Sequence, residues 1–436
     1  MNKKKLTLLT KTALAVVDQG LLSAVNFFVS IVLIKNTAKT EYGYYSIAFA
    51  ALMLFISVQN AVVTTPLTVL LPAKKSAEKK EYISSLLSGQ YALLLPLSFI
   101  FLLVALAGRF FAIDSLRTHI ALAFIVAVLG ALLREFLRAC LFAQYRAERV
   151  LVVDTIYVLV YISAIGLLWL TSSVSVPVIL IFMGISAFAA SLTSTGFIEW
   201  RIRWPSVKKS YSENWPFGRW ALAGVLVSHV QNYAYLYLLG ALLGSTAVAD
   251  VSASRLLLMP LVLAQVGWGK VALPLGARLH EEKRAVDFFK IQMAAALAFV
   301  VVIQLYVFLI NRFAPLLGSL VLTDKYLEAL GFATLWGAIF SVGFVALCAS
   351  FGLQAMKRFK VITQMSAITM VLTVLSTFLF IKGFAVRGGL YALLTGETSL
   401  AILLWYKFVS SVFPLRAGRI RLLITRLTKK VVNENA

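Results

Sequence analysis

Charge and cysteine are both scarce in this chain of 436 residues. Only 14% of the residues are charged, and the two cysteines are Cys140 and Cys348. Both cysteines sit inside apolar runs, which excludes a disulfide framework and a cysteine-based metal site. No phosphate-binding glycine loop, metal-ligand spacing or nucleophile elbow is present, which argues against an ATP-driven pump and against an enzyme. Acids are scarcer than bases. The 18 Asp and Glu face 41 Lys and Arg, for a formal net charge of +23. The bases lie in short clusters between apolar runs, so none forms a nucleic-acid docking domain.

What the chain has in abundance is apolar surface. Hydrophobic residues make up 61% of it, against roughly half in a soluble domain. A bilayer is therefore the solvent for most of the molecule. Spanning helices need about 20 mostly apolar residues. Twelve stretches qualify: Ala13–Ile34, Gly43–Leu71, Ser85–Ala107, Ile120–Ala143, Val150–Leu170, Val174–Ile198, Arg219–Gly240, Thr246–Leu273, Lys290–Ile310, Leu327–Ala355, Val361–Ile381 and Gly388–Phe413. Such lengths exclude barrel strands. The first stretch is too long for a signal peptide and no cleavage site follows it, so it reads as an uncleaved span.

The loops alternate in charge. One side carries 28 Lys and Arg and the other eight. The positive-inside rule then places both termini and the basic loops in the cytoplasm. The outer loops are short and leave no room for a catalytic domain. The basic tail from Pro414 is expected to anchor topology, with a basic helix on the inner leaflet as the second reading.

The halves look alike. Ser23-Ala24-Val25-Asn26-Phe27 parallels Ser228-His229-Val230-Gln231-Asn232. Pro72-Ala73-Lys74-Lys75 parallels Pro274-Leu275-Gly276-Ala277-Arg278, and Gln144-Tyr145-Arg146 parallels Gln354-Ala355-Met356-Lys357. The offsets of 205, 202 and 210 are nearly constant. We therefore expect an all-α protein of two six-helix bundles related by a parallel repeat, residues 1–204 and 205–413, with a tail at 414–436. Transporters of this build hold substrate between their halves and alternate access by rocking them.

Polar residues inside spans are costly and are functional candidates by default. Arg255 and Lys270 fall in the eighth stretch, 15 residues apart. Turned at 100° per residue they lie within about 60° of one face, a cationic stripe suited to an anion. Snorkelling to the surface is the competing reading for Lys270. Arg134, Glu135 and Arg138 read first as an internal ion-pair network, with Glu135 and Arg138 spaced i,i+3. Asn26, Gln59, Asn60, Gln231 and Asn232 suit sugar hydroxyls, or glue helices together. Asp18, His229 and Glu397 are candidates for coupling to a proton or sodium gradient, with a satisfied structural histidine the competing reading of His229. Asp250 is a further acid near the apolar region.

Certain residues also carry a resemblance. Asp18-Gln19-Gly20-Leu21-Leu22-Ser23 with Asn26-Phe27, Glu41-Tyr42-Gly43 with Tyr45, and Gln59-Asn60 with Thr64 and Pro66 lie in the first two stretches. Arg134-Glu135-Phe136, Arg138 and Leu141-Phe142-Ala143-Gln144 lie in the fourth. Together they resemble the Wzx polysaccharide flippases of the multidrug/oligosaccharidyl-lipid/polysaccharide exporter superfamily. The turn Lys35–Thr40 departs from relatives that carry glycine there. The resemblance implies a V-shaped, alternating-access protein of the bacterial inner membrane. It would flip a polyprenyl-diphosphate-linked oligosaccharide for O-antigen or exopolysaccharide synthesis, without a cofactor. Membrane lipids, a polysaccharide polymerase and glycosyltransferases are its implied partners. A multidrug exporter of the same superfamily and a membrane polymerase or ligase are the alternatives.

Overall fold

The computed structural model describes residues 3–110, 115–194 and 204–414. It is helical throughout, with no strand among the described residues. The helices are α1 (Lys3–Asn36), α2 (Lys39–Gln59), α3 (Thr65–Leu70), α4 (Ser76–Phe110), α5 (Ser115–Ala143), α6 (Ala147–Leu170), α7 (Val176–Leu192) and α8 (Val207–Leu243). They continue as α9 (Ser245–Leu256), α10 (Met259–Glu281), α11 (Ala285–Arg312), α12 (Ala314–Leu320), α13 (Leu327–Leu330), α14 (Ala333–Ala355) and α15 (Phe359–Val412). A five-residue π-helix, Asn60–Thr64, joins α2 to α3 into one long passage.

Seven of these helical runs are long and apolar enough to cross a membrane, and the bent pair α9–α10 makes an eighth. The tail after Pro414, and with it the basic helix considered there, lies outside the described residues.

The structure refines four of the expected stretches. The eighth is broken after Leu256 and bends by 59° into α10. Pro260 sits in the first turn of α10. Its ring has no N–H and crowds the carbonyl four residues back, which is Leu256, the last residue of α9. The tenth stretch begins as the separate turn α13 before α14 takes over. The last two stretches run together as α15, interrupted only at Ala385 (φ 48°, ψ −127°). That left-handed residue reverses the chain. A Cβ on Gly388 would meet the Phe380 carbonyl, and one on Gly396 would meet Thr373 Oγ1. Residue numbers that rise on one limb and fall on the other mark an antiparallel hairpin, hence two passages. With α4, α7 and α8 counted as passages, the described residues make twelve.

Contacts divide the described residues into two compact units. The first is Met1–His229 with Leu239–Leu256 and Leu317–Ala329. Its core gathers Leu67, Leu71, Leu86, Phe136, Leu137 and Cys140. In lipid, apolar burial gives little drive for helix association, so close packing must supply it. Accordingly α5 and α7 touch backbone to backbone: a Cβ on Gly130 would fall 2.3 Å from the Gly184 carbonyl oxygen. The second unit is Val230–Leu238 with Leu257–Leu316 and Leu330–Ala436. Its core gathers Phe288, Ala349, Leu353, Leu404 and Phe408, and Phe299 stacks on Phe344 at 3.9 Å.

Several helices end in one kind of turn. After α5, Tyr145 is left-handed (φ 60°) and Arg146 N–H bonds the Leu141 carbonyl. After α14, Lys357 is left-handed (φ 60°) and Arg358 N–H bonds the Leu353 carbonyl. The same C-capping motif closes α6 at Ser172 (φ 52°) and α10 at Lys283 (φ 58°), where Ser173 N–H bonds the Leu168 carbonyl and Arg284 N–H the Leu279 carbonyl, so it is used four times among the described residues.

Candidate substrate and ion sites

In the first unit, five charged side chains from three helices meet inside the protein. Arg138 on α5 reaches Asp18 on α1 at 2.8 Å, Glu135 at 2.8 Å and Asp154 on α6 at 2.6 Å. Arg134 approaches Glu135 at 3.2 Å and Asp154 at 3.8 Å. Its guanidinium also lies over the Tyr157 ring, 3.8 Å from the centroid. Asp154 is fully buried. The i,i+3 spacing gives the Glu135–Arg138 contact, while Asp18, a coupling candidate, is held by the same network. Sequence reasoning missed Asp154, although its signal was present: a carboxylate inside the fifth apolar stretch, one turn from its start. Three carboxylates against two guanidinium groups leave one negative charge over. Asp18 Oδ1 has no hydrogen-bond partner.

The amides divide by environment. Gln59 is buried; its Nε2 donates to the Leu132 carbonyl, and its Oε1 accepts from Gln90. Asn60 opens the π-helix, where its Oδ1 accepts from Thr64. Asn26 is half-buried on α1, and its backbone carbonyl accepts from Ser30. His229 is buried on α8, while Asn232 is exposed. In the second unit Gln231 is buried and hydrogen-bonds Glu397 on α15. The Glu397 carboxyl lies against Gly343 of α14. No base pairs with Glu397 among the described residues. Asp250, by contrast, takes Lys39 at 2.7 Å.

The cationic stripe does not survive as drawn. Arg255 occupies the last turn of α9, where it faces the negative end of the helix dipole. Lys270 lies on α10, beyond the break. A 100° count cannot be carried across a 59° bend, so the two do not share one helix face. Lys270 is exposed and has no ion pair among the described residues.

No family model matches the chain, and no curated protein matches it in sequence. Solved structures do match. An inward-facing multidrug resistance transporter of the MATE family superposes with a TM-score of 0.73 at 12% identity, over 90% of this chain and 94% of that one. The lipid II flippase MurJ, in an inward closed conformation, gives 0.71 at 13% identity, over 94% of this chain and 92% of that one. A MOP superfamily transporter from Pyrococcus furiosus, described as having a binding pocket of reversed polarity, gives 0.66 at 11% identity, over 94% and 96%. The fold is that of the MOP superfamily transporters. The chain is a multi-pass membrane protein, as its apolar helices require.

Proposed function

We propose that this protein is a flippase that moves a lipid-diphosphate-linked oligosaccharide across the bacterial cytoplasmic membrane for surface polysaccharide synthesis. Both termini are then cytoplasmic, the halves 1–204 and 205–413 alternate access, and a polymerase and glycosyltransferases act on either side of the step. The observation that carries this reading is Lys270. It is an exposed cation with no ion pair among the described residues, on the bent helix pair that can cross a membrane, whereas Asp18, Glu135, Asp154 and Asp250 all touch bases. Such a cation is costly in lipid and favours an anionic ligand, as a diphosphate is. The likeness of fold to a lipid II flippase agrees.

In this reading Lys270 holds the diphosphate or an acidic sugar, and Arg255 is a separate candidate for the same role. Asn26, Asn60, Asn232, Gln59 and Gln231 contact hydroxyls. Asp18, His229 and Glu397 take up the coupling ion. The surplus acid around Arg138, and Glu397 with no base among the described residues, both suit a proton or sodium ion.

The experiment is to delete the gene and locate the lipid-linked oligosaccharide with a membrane-impermeant probe, on intact cells and on opened vesicles. Trapping on the cytoplasmic face supports the flippase. Trapping outside favours a polymerase or ligase, and no trapping favours drug export. Complementation with Lys270→Ala or Arg255→Ala is expected to fail at normal protein abundance. Wild-type transport by both variants would remove the cationic site.

The second reading, export of cationic drugs, draws on Glu397, an acid without a base. It predicts that Glu397→Gln raises drug sensitivity in cells whose polysaccharide remains normal.

A further inference from the structure

The segment Trp204–Trp220 carries two sets of residues. Towards the first unit it presents small and hydrogen-bonding groups. Ser210 Oγ lies 2.5 Å from Ser85 Oγ on α4. Asn214 is fully buried; it accepts a bond from the Tyr82 hydroxyl and donates to the Val62 carbonyl in the π-helix. Glu213 takes Lys74 at 2.7 Å. Gly218 sits on the same π-turn, where an added Cβ would come 3.2 Å from the Ala61 oxygen.

Ser206, Ser210 and Tyr211 meet Glu81, Ser85 and Leu86, a constant separation of 125, so the segment packs in register beside the beginning of α4. That part of α4 follows the basic run Lys74, Lys75, Lys79 and Lys80, so the segment lies at the basic end of that helix.

Away from these contacts lie Trp204 (54% exposed), Trp215 (50%) and Trp220 (71%). Interleaved are Lys208, Lys209 and Arg219, all exposed. Glu213 is the one acid in the segment, and Lys74 neutralises it. The three bases make no ion pair among the described residues. Arg219 lies over the Trp220 ring at 5.6 Å. Tryptophan prefers the headgroup level, and unpaired bases there attract acidic headgroups.

We propose that these residues form a docking ridge for acidic phospholipids, with Lys208, Lys209 and Arg219 on the phosphates and the tryptophans at the glycerol level. It holds the connector between the two halves of the chain against the bilayer. The ridge is independent of what the protein transports.

The test uses the purified full-length protein in detergent, titrated with dioleoyl phosphatidylglycerol or dioleoyl phosphatidylcholine and read by native mass spectrometry. Wild type is expected to retain phosphatidylglycerol over phosphatidylcholine. Each base replaced by Gln is expected to weaken retention about five-fold, and the triple Lys208→Gln/Lys209→Gln/Arg219→Gln variant about a hundred-fold. Neutralising Arg278, Lys283 and Arg284, on another basic loop, should leave it unchanged. A triple variant that retains phosphatidylglycerol as wild type does overturns the ridge, as does wild type that does not discriminate the two lipids. In nanodiscs made with brominated phosphatidylglycerol, Trp215→Phe should remove part of the quenchable fluorescence. Unchanged quenching would place Trp215 in water or against another protein, and would equally overturn it.

Discussion

Arg138 bonds to three carboxylates from three helices, so its loss is felt differently from the loss of any one acid. In Arg138→Met, Asp18, Glu135 and Asp154 would share the single guanidinium of Arg134. Breaking a buried ion network by removing one partner costs about 3–5 kcal/mol. We expect Arg138→Met to fall sharply in abundance and in thermal midpoint after extraction. Wild-type stability would mean that the acids are already neutral without it. A gain is expected elsewhere. Lys357 holds a left-handed backbone (φ 60°) at an exposed turn, which glycine adopts without strain. A left-handed backbone costs a non-glycine residue about 1–2 kcal/mol, and glycine's greater freedom when unfolded offsets about 0.5–1 kcal/mol of that, so Lys357→Gly should stabilise by about 0.5 kcal/mol, seen as a slightly higher midpoint in a thermal-shift assay. The network was legible in part. The i,i+3 spacing exposes Glu135 and Arg138, because local spacing maps directly onto a helix face. Asp154 is joined to them only by packing of α6 on α5, which a single sequence does not encode in any spacing. Left-handed Tyr145 and Lys357 were not legible at all, since neither is glycine or asparagine.

Among elements, crossings were readable and breaks were not. Apolar length is imposed by the bilayer and is visible to simple counting. The bend after Leu256 had a local signal in Pro260, but an apolar run across a proline still looks continuous. The hairpin in α15 turns on Ala385, a residue with no turn preference, between limbs held by Gly388 and Gly396. Close approach by glycine is the recurring device. On α7, a Cβ at Gly184 would lie 2.2 Å from the Val126 carbonyl oxygen of α5. That contact is backbone, so no rotamer change relieves it. Gly184→Leu is expected to separate α5 from α7 and lower the thermal midpoint by several degrees, and Gly184→Ala to do so by less. Equal midpoints for all three forms would show that the helices slide apart at no cost.

At the scale of the whole molecule, fold does not select cargo. A multidrug transporter and a lipid II flippase superpose with nearly the same score, 0.73 and 0.71. The twelve crossings and the repeat are common to both readings, so the sign of unpaired charge has to decide. Most intramembrane acids here are tied to bases, Glu397 being the exception, while Lys270 is left open. Charge reversal at that position separates the two readings. Lys270→Glu places a carboxylate where a diphosphate would dock, and like charges at contact in a low-dielectric site repel by several kcal/mol. The flippase reading expects translocation of the lipid-linked sugar in proteoliposomes to be lost, with no gain of cationic dye export. The drug-export reading expects the opposite: dye export maintained or raised, because an added acid improves a cation site. Lys270→Arg keeps the charge and should retain flipping under the first reading, which distinguishes loss of sign from loss of fold.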